Sequence, residues 1–331
     1  MYREKVIGVV VPSYNEEGFV GEVIDTMPDY VDRVYVVDDA STDGTWEEMK
    51  RHAKKVNTHE HVDDLYFDTK VVCIQHEENK GVGGAIKTGY LRALDDEIDI
   101  TAVMGGDGQM DPDHLPKLLD PIVDGEADYT KGNRLIHYEY RQDMSKWRFI
   151  GNAILTFMTK ISSGYWKMMD PQNGYTAISH YALRNIGIKG MYEFYGYCND
   201  LLVKLNAKDM NIADVSVPAV YGEEASNIRY RSYILKVSGM LTKNFFWRLK
   251  SKYLLLDFHP LALFYLFGMG LVSMGVLGAI WTIYLRIHQN TALFVRGSLS
   301  LLVFIMGSMF IMFAMLFDMQ VNQDKEKQIH D

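Results

Sequence analysis

The feature that most constrains this chain is a long stretch near its end that carries no carboxylate. From Phe258 to Phe317 the only formal cations are Arg286 and Arg296, which leaves two uncharged runs, about 261–285 and 297–317. Each exceeds the ~20 residues needed to cross the hydrocarbon layer of a bilayer. Buried helices of a soluble domain rarely run so far without a charge, so the pattern predicts a hairpin of two transmembrane helices. Between the spans lie only those two arginines, whereas Ile228–Leu256 carries seven Lys/Arg and no acid. Positive segments stay inside, so the N-terminal part and residues 318–331 are both expected in the cytoplasm, in a two-span protein of the cell membrane. The apolar run Val6–Val11 is too short for a span and lacks a cleavage site, and it is not read as a signal peptide.

Composition narrows the rest. A length of 331 residues suits about two units of ~150 residues each. A hydrophobic fraction of 48% excludes a disordered chain, and two cysteines, Cys73 and Cys198, exclude a disulfide framework and suit a reducing compartment. The formal charge of −9 argues against nucleic acid as a partner. It does not argue against a membrane, because it averages an acidic body with the basic belt 228–256. In that belt Arg229, Lys236, Lys243 and Lys250 recur every seven residues, and Tyr230, Ile234, Val237, Leu241 and Phe245 mark the opposite face. A basic amphipathic helix beside a span lies in the membrane interface. A helix packed on the soluble domain is the alternative, and Gly239 is a point at which it can divide in two.

Residues 1–227 read as one α/β domain, 228–257 as juxtamembrane helix, 258–317 as the hairpin and 318–331 as a cytoplasmic tail. Val6–Val11, Val34–Val37, Val71–Ile74 and Ile100–Met104 are apolar runs that end at polar residues, with a helix expected over Gly83–Leu94. Such runs suit buried parallel strands joined by right-handed helical crossovers. Ligands of sheets of this kind bind at the carboxyl ends of the strands.

Those ends carry unusual polar clusters. The first strand ends Val11-Pro-Ser-Tyr-Asn-Glu-Glu17 and the second Val36-Val-Asp-Asp-Ala-Ser-Thr-Asp-Gly-Thr45. A carboxylate there can accept hydrogen bonds from a nucleobase or ribose, and Tyr14 offers a face for stacking. Turn and helix-capping chemistry accounts for either cluster taken alone. The fourth strand runs into Gly105-Gly-Asp-Gly-Gln-Met-Asp-Pro-Asp113, which places Asp107 at a strand end between glycines that let a diphosphate approach. One or two carboxylates plus substrate phosphate oxygens is the usual way Mg²⁺ is held. Asp111 and Asp113 suit capping of a helix with Pro112 at its first position, and either can also reach a metal.

Three motifs in order, VPSYNEE, VVDDASTDGT and GGDGQMDP, resemble the family 2 glycosyltransferases of GT-A fold. Asn79-Lys-Gly-Val-Gly-Gly-Ala-Ile-Lys-Thr-Gly89 resembles that family's N-x-G-x-x-x-A segment, and Lys131-Gly-Asn-Arg134 its G-[SN]-R segment. With the basic belt and the hairpin, the chain is similar to the polyprenyl-phosphate (dolichyl-phosphate) hexose synthase branch. The resemblance implies a Rossmann-like, mainly parallel sheet and a metal-dependent, inverting transfer of a hexose. The donor would be a UDP- or GDP-sugar, the acceptor a polyprenyl or dolichyl phosphate, and the cofactor Mg²⁺ or Mn²⁺. It implies that Pro12, Tyr14, Glu16 and Asp39, with Asp38 the lesser member of the pair, hold the nucleoside. Asp107 becomes the metal position and Gln109 lies near the diphosphate. The family commonly has Asp-x-Asp where this chain has Gly105-Gly-Asp107, so Asp107 binds the cation alone, with Asp111, or with water and phosphate.

A lipid monophosphate is already an anion, so its oxygen can attack without a strong base. Its site needs cations to align it and relieve repulsion from the donor diphosphate. Arg134, Arg148 and Lys131 are candidates, because they lie in or near that segment and guanidinium matches phosphate geometry. Arg148 equally suits a plain helix start. Relatives carry a basic residue before the Ser of the segment that here reads Tyr221-Gly-Glu-Glu-Ala-Ser226, a role open to Arg229 or Arg231. If the acceptor were instead a hydroxyl of a lipid-linked glycan, a carboxylate base would be required, and Asp200 stands about where such relatives carry theirs. Capping of a helix from Leu201 is its other reading. Asp170-Pro-Gln-Asn-Gly-Tyr175 resembles the family's acceptor loop, and is also explained as a turn. A membrane-tethered binding subunit without turnover is the remaining alternative. Small residues in the first span (Gly268, Gly270, Ser273, Gly275, Gly278) invite helix packing and a homo-oligomer.

Overall fold

The four apolar runs form parallel strands as their pattern requires: β1 Ile7–Ser13, β2 Arg33–Asp38, β3 Val71–Gln75 and β4 Ile100–Val103. They are joined by α1 Val20–Asp25, α2 Thr45–His59 and α3 Val82–Asp95. In this computed structural model the described residues are 1–59, 66–134, 146–218, 230–256, 258–289 and 292–329; within the helices, the side chains of 59, 146–150, 152, 230–232 and 256 are not described. The sheet continues through α4 Leu115–Val123, β5 Tyr129–Asn133, α5 Lys146–Ser163, β6 Thr176–Ser179, α6 His180–Asn185, α7 Tyr197–Ala207 and β7 Ile212–Ser216. Its strand order is β3-β2-β1-β4-β6-β5-β7-β8, in which β8 is Glu326–Ile329. β6 alone runs against its neighbours β4 and β5.

Both faces of the sheet are covered, which is why β1 and β2 can be apolar throughout their middles, Val9–Val11 and Val34–Val37. On one face Val10, Tyr35, Ile86 and Tyr90 pack with Leu201 and Leu205. On the other Val9, Val34 and Val36 pack with Val20, Met49 and Leu118. Cys73 and Cys198 are free thiols, and burial pushes Cys198 up to about 11.

By its contacts the chain divides into two units, residues 1–244 with 324–331, and residues 245–323. The expected tail is therefore not a tail. The second apolar helix runs on to Asn322, and residues 326–329 pair in parallel with β7 as the last strand of the sheet. Hydropathy could not show this, because a four-residue polar edge strand has no hydrophobic period.

The basic belt also differs from expectation. Helix α8, Tyr230–Lys250, continues through Gly239 without a break and is followed by a π-helical segment, Ser251–Leu256. In the first unit its apolar stripe packs on that unit: Val237 and Leu241 are buried with Leu155 and Val203, and the Ser162 hydroxyl donates to the Leu241 carbonyl at 3.0 Å. The alternative of a helix packed on the soluble domain thus holds for that half. In the second unit two belt cations point inward. Arg248 makes paired bonds of 2.7 and 3.0 Å to Asp318, both wholly buried, and the Lys252 ammonium donates to Asn322 at 3.1 Å.

Helices α9 Pro260–Gln289 and α10 Phe294–Asn322 are long and apolar enough to cross a membrane, and most of their apolar surface is not buried within the protein. Exposed Phe267, Trp281, Phe294 and Leu301 would be an aggregation surface in water, so lipid is their natural solvent. Gly268, Gly275 and Gly278 of the first helix and Gly307 of the second serve the packing of the hairpin itself, whereas a Cβ on Gly270 would meet nothing. A Cβ on Gly275 would lie 2.7 Å from the Phe304 nitrogen, and one on Gly307 2.6 Å from the Val272 nitrogen.

Breaking a buried ion pair by removing one partner leaves an uncompensated charge. Asp318→Ala is expected to destabilise the second unit by about 3–5 kcal/mol, read as a lower thermal midpoint in detergent, while the apolar pair Arg248→Met with Asp318→Leu should recover most of the loss.

Candidate active site

Strand direction assembles the site. β1, β2, β4, β5 and β7 end at one edge of the sheet, and antiparallel β6 begins there, so the loop before it shares that edge. All the polar clusters singled out in the sequence through Tyr175 therefore meet along one line.

One half of the site, where the sequence placed a nucleoside, is built from the ends of β1 and β2. The two loops are stitched together: the Asn15 amide donates to Ser41 Oγ at 3.0 Å, Thr42 to Asn15 Oδ1 at 2.8 Å and Glu16 to Thr45 Oγ1 at 2.8 Å. Asn15 and Ala40 take positive φ to make the turns. Tyr14 is left 45% exposed, as a stacking face must be. Pro12 is half-buried, and its carbonyl accepts the Gly106 amide at 3.2 Å, tying the end of β1 to the loop after β4.

Asp38 and Asp39 are placed at this edge but buried. Asp38 accepts from the Ser41 amide (3.1 Å) and Gln75 Nε2 (2.9 Å). Asp39, 2% exposed, meets His76 Nδ1 at 2.7 Å and accepts the Lys80 and Gly81 amides, each at 2.8 Å. Asp39 is thus the floor of the cleft and the organiser of the loop that starts α3. A hollow lined by Gln75, His76, Glu77, Glu78 and Lys80 opens beside it. The glycines of the Asn79–Gly89 segment have a packing role: a Cβ on Gly83 would collide with the Tyr192 carbonyl, and the Gly84 amide donates to the Glu193 carbonyl at 2.9 Å.

After β4, Asp107 is partly exposed and its Oδ1 accepts the Gln109 amide at 3.0 Å. A Cβ on Gly105 would lie 2.8 Å from that Oδ1, so the Asp107 carboxylate leans over the place where the family's first Asp would sit. Asp111 caps a short 3₁₀ turn, Pro112–His114, by accepting the Asp113 amide at 2.9 Å. Asp113 is exposed beyond it. Among the described residues no three His, Cys, Asp or Glu side chains gather into a metal cage. One forward-facing carboxylate beside glycines fits a dication carried largely by diphosphate oxygens, which is how Mg²⁺ is commonly held.

On the acceptor side Arg134 follows β5 and is gripped by Asp170, Nε at 2.8 Å and a terminal nitrogen at 3.2 Å, with 41% of its side chain exposed. Burial alone would raise the Asp170 carboxyl, but the Arg134 guanidinium, aided by Lys131, holds it below the usual carboxylate range. Met110 links the two halves, since the Gly105 amide donates to its sulfur at 3.2 Å and a Cβ on Gly174 would lie 3.4 Å from its methyl carbon.

Two expectations are corrected. Lys131 is no phosphate ligand: it is 1% exposed, paired with Asp214 at 2.8 Å and donating to the Asp170 carbonyl at 3.0 Å. Asp200 neither caps a helix from Leu201 nor presents a base. It lies in the first turn of α7, 3% exposed, accepting from the Tyr192 amide (2.9 Å), Lys204 (3.0 Å) and Asn244 (2.6 Å). A base must touch the hydroxyl it deprotonates, and this carboxylate is enclosed. Arg148 lies in α5 and Arg231 in α8, without described side chains; Arg229 lies outside the described residues. The Asp170 and Asp214 partners were not legible in the sequence, because each acts across strands.

A GT-A-like α/β fold with nucleotide-type loops at its carboxyl edge defines a sugar-transferring class of enzyme. Residues 8–187 match the pattern of glycosyl transferase family 2, and the chain belongs to that family. It is 30% identical over 249 residues, 72% of its length and 99% of the relative's, to the UDP-N-acetylglucosamine–dolichyl-phosphate N-acetylglucosaminyltransferase of Methanococcus voltae. It is 25% identical to the undecaprenyl-phosphate mannosyltransferase of Micrococcus luteus, over 65% of this chain and 83% of that one. Among solved structures, glucosyl-3-phosphoglycerate synthase from Mycobacterium tuberculosis in complex with Mg²⁺ and UDP superposes with a TM-score of 0.52 at 19% identity, covering 74% of this chain and 79% of that one; this is a likeness of fold.

The brace Asp170–Arg134 gives a signed pH dependence. A depressed carboxyl contributes stability that is complete above its unfolded value, about 4, and is lost only as pH falls through the lower folded value. Acidification from pH 7 to 5 should therefore leave the wild-type midpoint unaffected by this pair, and the stability gap to Asp170→Asn should close only in stronger acid, as followed by thermal melts across pH.

Proposed function

We propose that this glycosyltransferase moves a hexose from a UDP- or GDP-sugar to a polyprenyl or dolichyl phosphate at the cytoplasmic face of the membrane, with inversion and with help from Mg²⁺ or Mn²⁺. The observation that carries the reading is Arg134, a half-exposed guanidinium held rigid by Asp170 at the same sheet edge as Asp107. A fixed cation opposite a donor carboxylate is what an anionic acceptor needs, and a hydroxyl acceptor is disfavoured by the enclosure of Asp200. The relatives' names give lipid phosphates as their acceptors, and two helices long and apolar enough to cross a membrane would hold the enzyme where such a lipid dissolves. That residues on both sides of the hairpin belong to one unit supports a two-span arrangement with both ends on one face.

The nucleoside would stack on Tyr14, over a floor set by Asp38 and Asp39, with Pro12 and Glu16 on the wall and Gln109 toward the diphosphate. Asp107 would hold the cation, with Asp111 as its nearest second carboxylate in sequence, and a bound Mg²⁺ or Mn²⁺ would offset the charge of the departing diphosphate. A phosphate oxygen of the acceptor, already ionised and aligned by Arg134, attacks the anomeric carbon from the face opposite the diphosphate. One carbon–oxygen bond forms as the other breaks, so an α-linked donor gives a β-linked lipid product.

Purified protein in detergent, offered labelled UDP- and GDP-sugars with undecaprenyl phosphate, should transfer label to the organic phase. Chelation should abolish this and added Mn²⁺ or Mg²⁺ restore it. Asp107→Ala and Arg134→Ala should each lower turnover at least about a hundredfold, with Arg134→Lys recovering only part because a point charge replaces a fork. Absence of label with every donor would overturn the proposal.

A further inference from the structure

Glu326 is a buried carboxylate that the transfer chemistry does not use, and it arrives from the far end of the chain, beyond both apolar helices. It begins β8, 6% exposed, and accepts three consecutive backbone amides: Trp166 at 2.6 Å, Lys167 at 2.8 Å and Met168 at 2.8 Å. Gln328, two residues on and so on the same face of the strand, donates to the Lys167 carbonyl at 2.9 Å. The strand therefore grips segment 166–168 by both its donors and an acceptor.

That segment leads directly into the acceptor half of the site. The next amide, Met169, donates to Asp214 Oδ2 at 2.6 Å, and Asp214 pairs with Lys131, which also bonds the Met169 and Asp170 carbonyls. The Asp170 carboxylate then holds Arg134. Every link lies in the first unit and is a hydrogen bond or ion pair; Glu326, Met168, Lys131, Asp214 and Asp170 are buried, Trp166 and Met169 partly so, and Lys167 and Gln328 are exposed.

We propose that Glu326 is a positioning residue for the transfer reaction: by binding the 166–168 amides it sets Asp170, and through it the orientation of Arg134. The catalytic sheet is thereby completed by residues that emerge only after the membrane hairpin. This rests on the reading of Arg134 as the acceptor-phosphate cation, and the two ideas fail differently.

The test uses the full chain in detergent and has two arms. In the first, hydrogen–deuterium exchange compares wild type with Glu326→Ala and with the milder Gln328→Ala. Amides 166–170 should lose protection, Glu326→Ala more than Gln328→Ala, while α2 and α3 stay unchanged. Unchanged exchange at 166–170 in both variants overturns the proposal. In the second arm, transfer from the donor found active with undecaprenyl phosphate is measured for Glu326→Ala, Arg134→Ala and the double variant. Glu326→Ala should lose roughly ten- to a hundredfold in turnover, with binding of the free nucleoside diphosphate (UDP or GDP, as the donor dictates) unaltered. The double variant should be no worse than Arg134→Ala alone, since residues acting through one group are non-additive. Multiplying losses, or a turnover unaffected in Glu326→Ala, overturns it. Should Glu326→Ala fail to bind nucleotide, Gln328→Ala takes its place in the cycle with a smaller loss expected and the same criteria. A normal Arg134→Ala turnover would refute the phosphate reading, whereas the exchange arm would still decide whether the strand holds the segment.

Discussion

The sheet edge that presents Arg134 depends on one buried ion pair, Lys131 with Asp214, on the adjacent strands β5 and β7. Desolvating two charges costs about as much as their attraction returns, so such a pair adds little net stability. What it supplies is geometry. The ammonium has three donors, and here they reach Asp214 and the carbonyls of Met169 and Asp170, while Asp214 also takes the Met169 amide and Asn133 Nδ2. A loop with no regular hydrogen-bond ladder is thus fixed as firmly as a strand, and the carboxylate that orients Arg134 rides on it. An apolar pair of similar volume could fill the space but could not specify where the loop's backbone lies.

The donor half works by the same means with the sign reversed. Asp38, Asp39 and Glu48 are buried acids whose partners are largely backbone amides of the loops around them, Glu48 taking Gly18 and Gly21. Backbone donors left over where strands stop must find acceptors when buried. Carboxylates meet that need more strongly than neutral side chains. The acidic clusters therefore hold the loops at the strand ends together, and Tyr14, exposed, and Asp107, partly exposed, are presented by that frame.

Much of this was readable from the residues. Continuous Val/Ile runs mark strands covered on both faces, and β1 to β4 fall within a residue or two of where those runs lie. The charge-free stretches mark α9 and α10, because nothing but length and hydropathy decides whether a helix can cross a bilayer. The net positive charge of 228–256 was less informative: outside the seven-residue series, Arg248 and Lys252 point inward because Asp318 and Asn322, some 70 residues on, are there to receive them. The same limit explains Lys131 and Asp200. A lysine in a glycosyltransferase motif and an aspartate at a base-like position look functional until their partners, Asp214 and Asn244, are seen.

Periodicity, hydropathy and motif order are local properties, and by themselves they determined the α/β class, the family resemblance, the pair of long apolar helices and the line of polar strand ends. Tertiary structure alone decided which charged groups face that line and which are consumed in holding it. It also decided that the last strand of the catalytic sheet lies beyond the hairpin. The reason is physical: a buried charge is tolerated only where another group, often more than thirty residues away, satisfies it, and only the folded chain brings the two together.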